Sequence, residues 1–200
     1  VAARCFKLRS VTTPLEDSGL IVQRLRYSET SLILTWLTAQ HGLIKTLAKG
    51  AGKPGQIFYG KTDLYQECHL SWSPGRKSSL ATLRSLDLIS RHRGISAHYV
   101  NLLAVSYFYE IIHLLAEPGS PMPEIYDLYH KAIEYLQDHV CTALVAERFE
   151  RRLLQIHGQD HPEESLTRLR RNAYPKQPRT FQALQAELKK NTANTTRDHS

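Results

Sequence analysis

Between residues 19 and 89 the apolar positions come in short runs rich in β-branched residues and broken by turn residues, a pattern that predicts an all-β module. Five strands are expected, at residues 20–26, 32–38, 43–48, 64–72 and 80–88. Their connections are Tyr27-Ser28-Glu29, His41-Gly42, the stretch 49–60, and Ser73-Pro74-Gly75-Arg76-Lys77. The fourth strand alternates most cleanly, with Leu64, Cys68, Leu70 and Trp72 on one face and Tyr65, Glu67, His69 and Ser71 on the other. That alternation predicts one face inward and one in water. Five short strands are too few for a sandwich yet able to close on themselves, so the expected architecture is a small barrel of the OB-fold type.

After Gly94 the period changes to that of a helix. Tyr99, Val100, Leu103, Ala104, Tyr107, Phe108, Ile111, Ile112 and Leu115 form a wide apolar stripe, with Ser106, Glu110, His113 and Glu117 recurring on the opposite side. Those polar residues interrupt the stretch 102–116, which predicts a buried helix and not a membrane span. The run Pro118-Gly119-Ser120-Pro121-Met122-Pro123 ends this helix and starts a second over 124–139, on Ile125, Leu128, Ala132, Ile133 and Leu136. A third is expected over 142–157 on Val145, Phe149, Leu153 and Ile156, stopped by Gly158. Two shorter helices come next, near 163–172 and 180–190. The fold class is therefore α+β in two domains: an N-terminal extension at 1–18, the five-stranded barrel at 19–94, an α-helical bundle domain at 95–190, and a flexible tail at 191–200.

Charge divides the two domains. The 200-residue chain carries a formal net charge of +7, but residues 1–94 hold 14 basic and 6 acidic side chains while residues 95–158 hold 4 and 8. Such asymmetry predicts that the front module meets a polyanion. Three widely spaced cysteines, Cys5, Cys68 and Cys141, make neither a disulfide framework nor a zinc spacing, and point to a reducing, cytoplasmic setting. Residues 1–18 lack the apolar core of an export signal.

Most motifs that could carry catalysis fail on context. Gly50-Ala51-Gly52-Lys53-Pro54-Gly55 fits G-x-G-x-x-G, but the next residues, Gln56-Ile57-Phe58-Tyr59-Gly60, lead towards a strand and supply no helix N-terminus for a pyrophosphate. Pro54 after Lys53 excludes a P-loop. His157 and His161 are separated by Gly158 and precede Pro162, and His139 beside Cys141 lacks two further ligands, so no metal or other cofactor is expected. With no nucleophile-elbow signature either, the chain does not read as an enzyme.

Basic residues interleaved with aromatics remain: Arg24, Arg26, Tyr27, Lys45, Lys49, Lys53, Phe58, Tyr59, Lys61, Arg76, Lys77 and Arg84. Cations every few residues track a phosphate backbone, and aromatic faces offer bases a sequence-tolerant stacking platform. Trp36 and Trp72 fall in strand stripes and are expected in the core, whereas Tyr27, Phe58 and Tyr59 fall in loops and are the stacking candidates. In the third helix, Arg148, Arg151 and Arg152 lie on or beside the Phe149 and Leu153 stripe. A basic rim over an apolar groove would suit an acidic partner peptide, and ion pairs with Glu147 and Glu150 are the plainer alternative.

Several of these segments together resemble a known family. Gly19-Leu20-Ile21-Val22, the run Arg26-Tyr27-Ser28-Glu29-Thr30-Ser31-Leu32-Ile33-Leu34, then Leu37-Thr38-Ala39-Gln40-His41-Gly42 and Leu47-Ala48-Lys49-Gly50-Ala51 are similar in order and spacing to the N-terminal domain of the RecO family of bacterial DNA repair proteins. Leu70-Ser71-Trp72, Leu115-Ala116-Glu117-Pro118-Gly119 and Pro123-Glu124-Ile125-Tyr126-Asp127-Leu128 continue the likeness, over about residues 19–158. The resemblance implies an OB-fold followed by a helical domain, acting without catalysis as a recombination mediator. Such proteins bind single- and double-stranded DNA, anneal strands, and work with RecR and single-stranded-DNA-binding protein so that RecA can load. The implied partners here are DNA and those two proteins, with Arg148, Arg151 and Arg152 as the local choice for the acidic tail of the latter. The chain departs from the family where relatives carry consecutive arginines, having Gly52-Lys53-Pro54-Gly55 instead, and it lacks the four-cysteine zinc motif that some relatives carry after the third helix. A non-catalytic protein-interaction adaptor with a mainly structural barrel is the alternative reading.

Overall fold

In the computed structural model, which describes residues 13–75, 80–117, 119–159 and 164–197, five strands close into a barrel in the order β1-β2-β3-β5-β4. They are β1 (Leu15–Arg26), β2 (Leu32–Thr38), β3 (Gly42–Ala48), β4 (Glu67–Ser73) and β5 (Leu80–Ser90). All neighbours are antiparallel except β3 and β5, whose parallel pairing through Lys45↔Leu80 and Leu47↔Thr82 closes the cylinder. This is the OB-type barrel that the five-strand pattern predicts. Its interior is filled by Ile21, Leu34, Trp36, Cys68, Leu70, Trp72, Leu83 and Leu86, and the indole Nε1 of Trp36 donates to Thr46 Oγ1 at 2.8 Å.

A 3₁₀ turn at Arg93–Ala97 leads into α1 (Tyr99–Leu115), followed by α2 (Pro123–Asp138), α3 (Ala143–Ile156), α4 (Leu166–Ala173) and α5 (Phe181–Arg197). Pro123 occupies the first turn of α2, and Thr142 caps α3 by accepting from the Val145 N–H. The second core lies among these helices and includes Phe108 stacked on Phe149 at 3.8 Å. Leu20, Val22, Leu37 and Tyr65 from the barrel belong to this second core. The β1–β2 wall is thus apolar on both faces, one turned to the barrel interior and one to the helices.

Four expectations change. The fourth strand begins at Glu67 and not at residue 64, because Tyr65 adopts φ +65° and turns the chain. Its second face is not wet throughout, since Tyr65 is buried against the helices and its hydroxyl meets Ser106 Oγ at 3.0 Å. Residues 15–18, expected in an extension, pair with β4 through Leu15↔Trp72 to Ser18↔His69. The tail expected from residue 191 is helical as far as Arg197. Cys5 lies outside the described residues.

Two buried polar residues hold the helices in place. The amide of Asn101 donates to the carbonyls of Leu136 and His139 and accepts from the Cys141 N–H, all at 2.8 Å, so one side chain satisfies the end of α2 and the start of the next connection. Glu150, fully buried, takes three bonds from the guanidinium of Arg170 on α4 at 2.6–2.9 Å. Glu150 therefore pairs across helices, and not with the neighbouring arginines of α3. Glu110 on α1 accepts from the Thr180 N–H and hydroxyl, capping α5 from outside. Gly94 sits where a Cβ would collide with the Gln137 carbonyl, which explains a glycine at the barrel-to-helix junction.

Replacing Asn101 with Ala leaves two carbonyls and one N–H without their partner, two of the three buried, and is expected to cost about 3 kcal/mol, read as a lower urea midpoint at unchanged slope. Burial pushes the thiols of Cys68 and Cys141 up to about 12, so in the native protein at pH 8 both are expected to resist alkylation, and peptide mapping should find them labelled only after unfolding.

Candidate nucleic-acid interface

The position of the basic residues depends on one irregularity in β1. Register shifts between Ile21 and Gln23, because Ile21 pairs with Trp36 while Gln23 pairs with Thr35, leaving Val22 as an extra residue. A bulge of this kind reverses the alternation beyond it. Residues 24 and 26, which an unbroken strand would turn outward, pair instead with Leu34 and Leu32 of the interior face. Arg24 and Arg26 are exposed and therefore stand at the mouth of the barrel, where β1 runs past its partner β4. Arg24 reaches Asp63 at 3.2 Å, and Arg26 donates to the Ser28 carbonyl.

Two loops meet at this mouth. The β1–β2 turn carries Tyr27, and the long β3–β4 connection carries Lys49, Lys53, Phe58, Tyr59 and Lys61. The Gly52 N–H donates to the Thr30 carbonyl at 2.9 Å, tying the two loops together. Tyr27 and Tyr59 are 59% and 50% exposed. Phe58 is only 4% exposed and packs with Ala51 into the barrel interior, so it corrects the expectation of a stacking surface. The physical reason is that a five-stranded barrel needs its open end filled, and the loop supplies the ring that fills it.

Lys45 and Arg84 lie on the outer face of β3 and β5. Continuing the parallel register of those strands carries Arg84 towards the Lys49 end of β3, so Lys45, Lys49 and Arg84 run as an exposed strip up to the mouth. The Arg84 Nε donates to Ser73 Oγ at 2.8 Å. Arg76 and Lys77, also expected in this site, lie outside the described residues. The outer face of β1, β4 and β5 has the opposite character. There Glu16 and Asp87 line an open groove of about 430 Å³ with Ser18, His69, Ser71 and Ser85, whereas Asp17, paired with Leu70 of the interior face, turns its carboxylate to His41 Nδ1 at 3.0 Å.

Sequence reasoning missed Lys176 and Arg179, both exposed in the α4–α5 connection. They line a groove of about 700 Å³ between barrel and helices together with Arg24. Only the general basic character of residues 159–200 hinted at them, since their approach to Arg24 spans about 150 positions of chain. On α3, Arg148 and Arg152 are exposed and Arg151 is half-buried. The apolar groove expected beneath them is closed, because Phe149 and Leu153 are buried in the helical core. The structure also gathers Glu67, His92 and His130, which no spacing in the sequence connects.

Barrel, bulge and helical domain together define a two-part OB-fold protein with a basic, aromatic-edged barrel mouth. Residues 13–92 match the family model described as Recombination protein O N terminal, and residues 96–160 the one described as Recombination protein O C terminal. The chain belongs to the RecO family, a family of DNA repair and recombination proteins. It is 33% identical over 147 residues to the DNA repair protein RecO of Stenotrophomonas maltophilia strain K279a, covering 72% of this chain and 59% of that protein. It is 31% identical over 142 residues to the DNA repair protein RecO of Rhodopirellula baltica, covering 70% of this chain and 52% of that protein. The chain thus spans little more than half the length of these curated relatives.

Phe58→Ala is expected to destabilise the barrel by about 3–4 kcal/mol, whereas Tyr27→Ala and Tyr59→Ala should stay within about 0.5 kcal/mol of the parent. Chemical denaturation of the three variants checks which ring is core and which are surface.

Proposed function

We propose that this protein is a DNA-binding recombination mediator in DNA repair, non-enzymatic and cytoplasmic, associated with the nucleoid. In this reading it holds single- and double-stranded DNA on the barrel, promotes annealing of complementary strands, and acts with RecR and single-stranded-DNA-binding protein to load RecA. The observation that carries the reading is the polarity of the barrel. Exposed cations and two exposed tyrosines gather at the mouth and along the β3–β5 strip, while Glu16 and Asp87 mark a face that repels phosphate.

Annealing asks that phosphate repulsion be neutralised while base edges stay free to pair. An open rim of Lys and Arg with two flanking aromatic faces meets that demand better than an enclosed base-reading pocket would. Lys176 and Arg179 extend the cationic path from Arg24 towards the helices. The outward arginines of α3, Arg148 and Arg152, with Arg151 beside them, are the proposed contact for the acidic tail of single-stranded-DNA-binding protein. Because the Phe149 stripe is closed, that contact rests on charge.

Fluorescence anisotropy of labelled oligo-dT across a salt series tests the reading. With about five phosphates contacted on a single strand, log K is expected to fall against log salt with a slope of about −3.5. The double variant K49E/K53E should weaken binding at least tenfold whatever the sequence. Absence of binding even at low salt would overturn direct DNA action and favour the adaptor reading, in which affinity appears only with a protein partner.

A further inference from the structure

Where barrel and helical domain meet, three side chains from separate elements converge: Glu67 at the start of β4, His92 in the junction after β5, and His130 on α2. One ligand-competent atom from each lies within 4.8 Å of the other two. His130 Nε2 stands 3.1 Å from Glu67 Oε2, and the rings of His92 and His130 are perpendicular with centroids 6.0 Å apart. We propose that Glu67, His92 and His130 form a binding site for a zinc(II) ion that staples the barrel to the helices.

The tautomer of His92 fits this use. His92 Nδ1 is 2.7 Å from the Tyr65 carbonyl, which can only accept, so Nδ1 carries the proton and Nε2 presents its lone pair. His130 Nε2 donates to Glu67 Oε2 at 3.1 Å, since a carboxylate only accepts, so the ion takes the place of that proton, while Nδ1 faces Glu134 Oε2 at 3.4 Å. Glu67 is itself oriented, because the Tyr126 hydroxyl donates to its Oε1 at 3.0 Å and leaves Oε2 for the site. His92 and Glu67 thus have hydrogen-bonded outer partners of the kind that orient metal-binding side chains, a carbonyl and a phenol, and His130 has a carboxylate 3.4 Å from its other nitrogen.

Backbone strain marks the same place. Among the described residues only two non-glycine positions have positive φ, Tyr65 at +65° and His92 at +43°, and these are the two that the Nδ1 hydrogen bond joins. Bulky residues hold this conformation only where their surroundings impose it, and such positions cluster at binding sites. Burial adds to the case, with His92 buried and the other two half-buried.

Donor type selects the ion. Two imidazoles and one carboxylate match the borderline cations of the zinc class and exclude the all-oxygen preference of magnesium and calcium. Tetrahedral zinc places its ligand atoms about 3.4 Å apart, so the widest pair here must close by at most about 1.4 Å. Rotamer adjustment of the half-buried Glu67 and His130 supplies that movement. Water would take the fourth position.

The test uses the whole chain, stripped of metal and then dialysed against zinc chloride or cobalt(II) chloride. Expected results are one bound ion per chain by elemental analysis, a cobalt visible spectrum of tetrahedral type without the thiolate charge-transfer band, and a melting temperature raised by several degrees. His130→Gln and Glu67→Gln should fold with parental circular dichroism and lose both the ion and the melting shift. Where a variant failed to fold, the parent's cobalt spectrum would still decide, since a thiolate band would move the ion to cysteine and overturn the site. No retained metal, or equal retention in folded variants, would overturn it as well.

Discussion

The extra residue at Val22 is the constraint on which the rest of the structure depends. Before it, Leu20 faces the helices and Ile21 the barrel interior; after it, the phase is reversed. One strand can therefore serve two cores and still deliver Arg24 and Arg26 to the barrel mouth. A strand without the bulge would turn Gln23 and Leu25 to the interior side and leave the arginines among the outward positions next to the helices. The backbone around the bulge is not left open. The Ile21 N–H donates to the Gln66 carbonyl and the Tyr65 N–H to the Ile21 carbonyl, so the chain entering β4 closes the gap.

That closure couples the barrel's shape to the domain junction. Tyr65, fixed against Ile21 by its N–H, offers its carbonyl to His92 and its ring to the helical core. The helices answer with close approaches at Gly42 and Gly94, where any Cβ would strike the carbonyls of Ser120 and Gln137. The Met122 N–H also bonds to the Ala39 carbonyl at the β2–β3 turn. Barrel and bundle are joined by apolar packing along one wall and by backbone contacts at its ends, an arrangement that holds the basic mouth at a set position relative to α1 and the α4–α5 connection.

Within the bundle, buried polar groups determine which packing is admitted. Glu150 and Arg170 satisfy each other with three short bonds, and burial together with the nearby Glu150 charge raises the phenols of Tyr107 and Tyr174 well above their ordinary range. A slip of α4 against α3 would leave a carboxylate buried without its partner, a far larger cost than the loss of one apolar contact. Asn101 acts in the same way on the α2–α3 connection.

Periodicity alone determined the order and type of the elements, because strands and helices write their buried faces into the chain at periods of two and 3.6. Three helix cores, the barrel class and the basic front half all come from such local rules. Phe58 shows where they stop, since a loop aromatic reads as exposed until the barrel's open end is seen to need filling. The bulge at Val22 leaves no mark in the residue pattern, as Leu20, Ile21 and Val22 are simply three apolar residues in a row. The approach of Lys176 and Arg179 to Arg24, the Glu150–Arg170 pair and the meeting of Glu67, His92 and His130 are equally silent. Each depends on distances between segments far apart in the chain. Sequence spacing carries the geometry of single elements, and only tertiary packing sets the geometry between them.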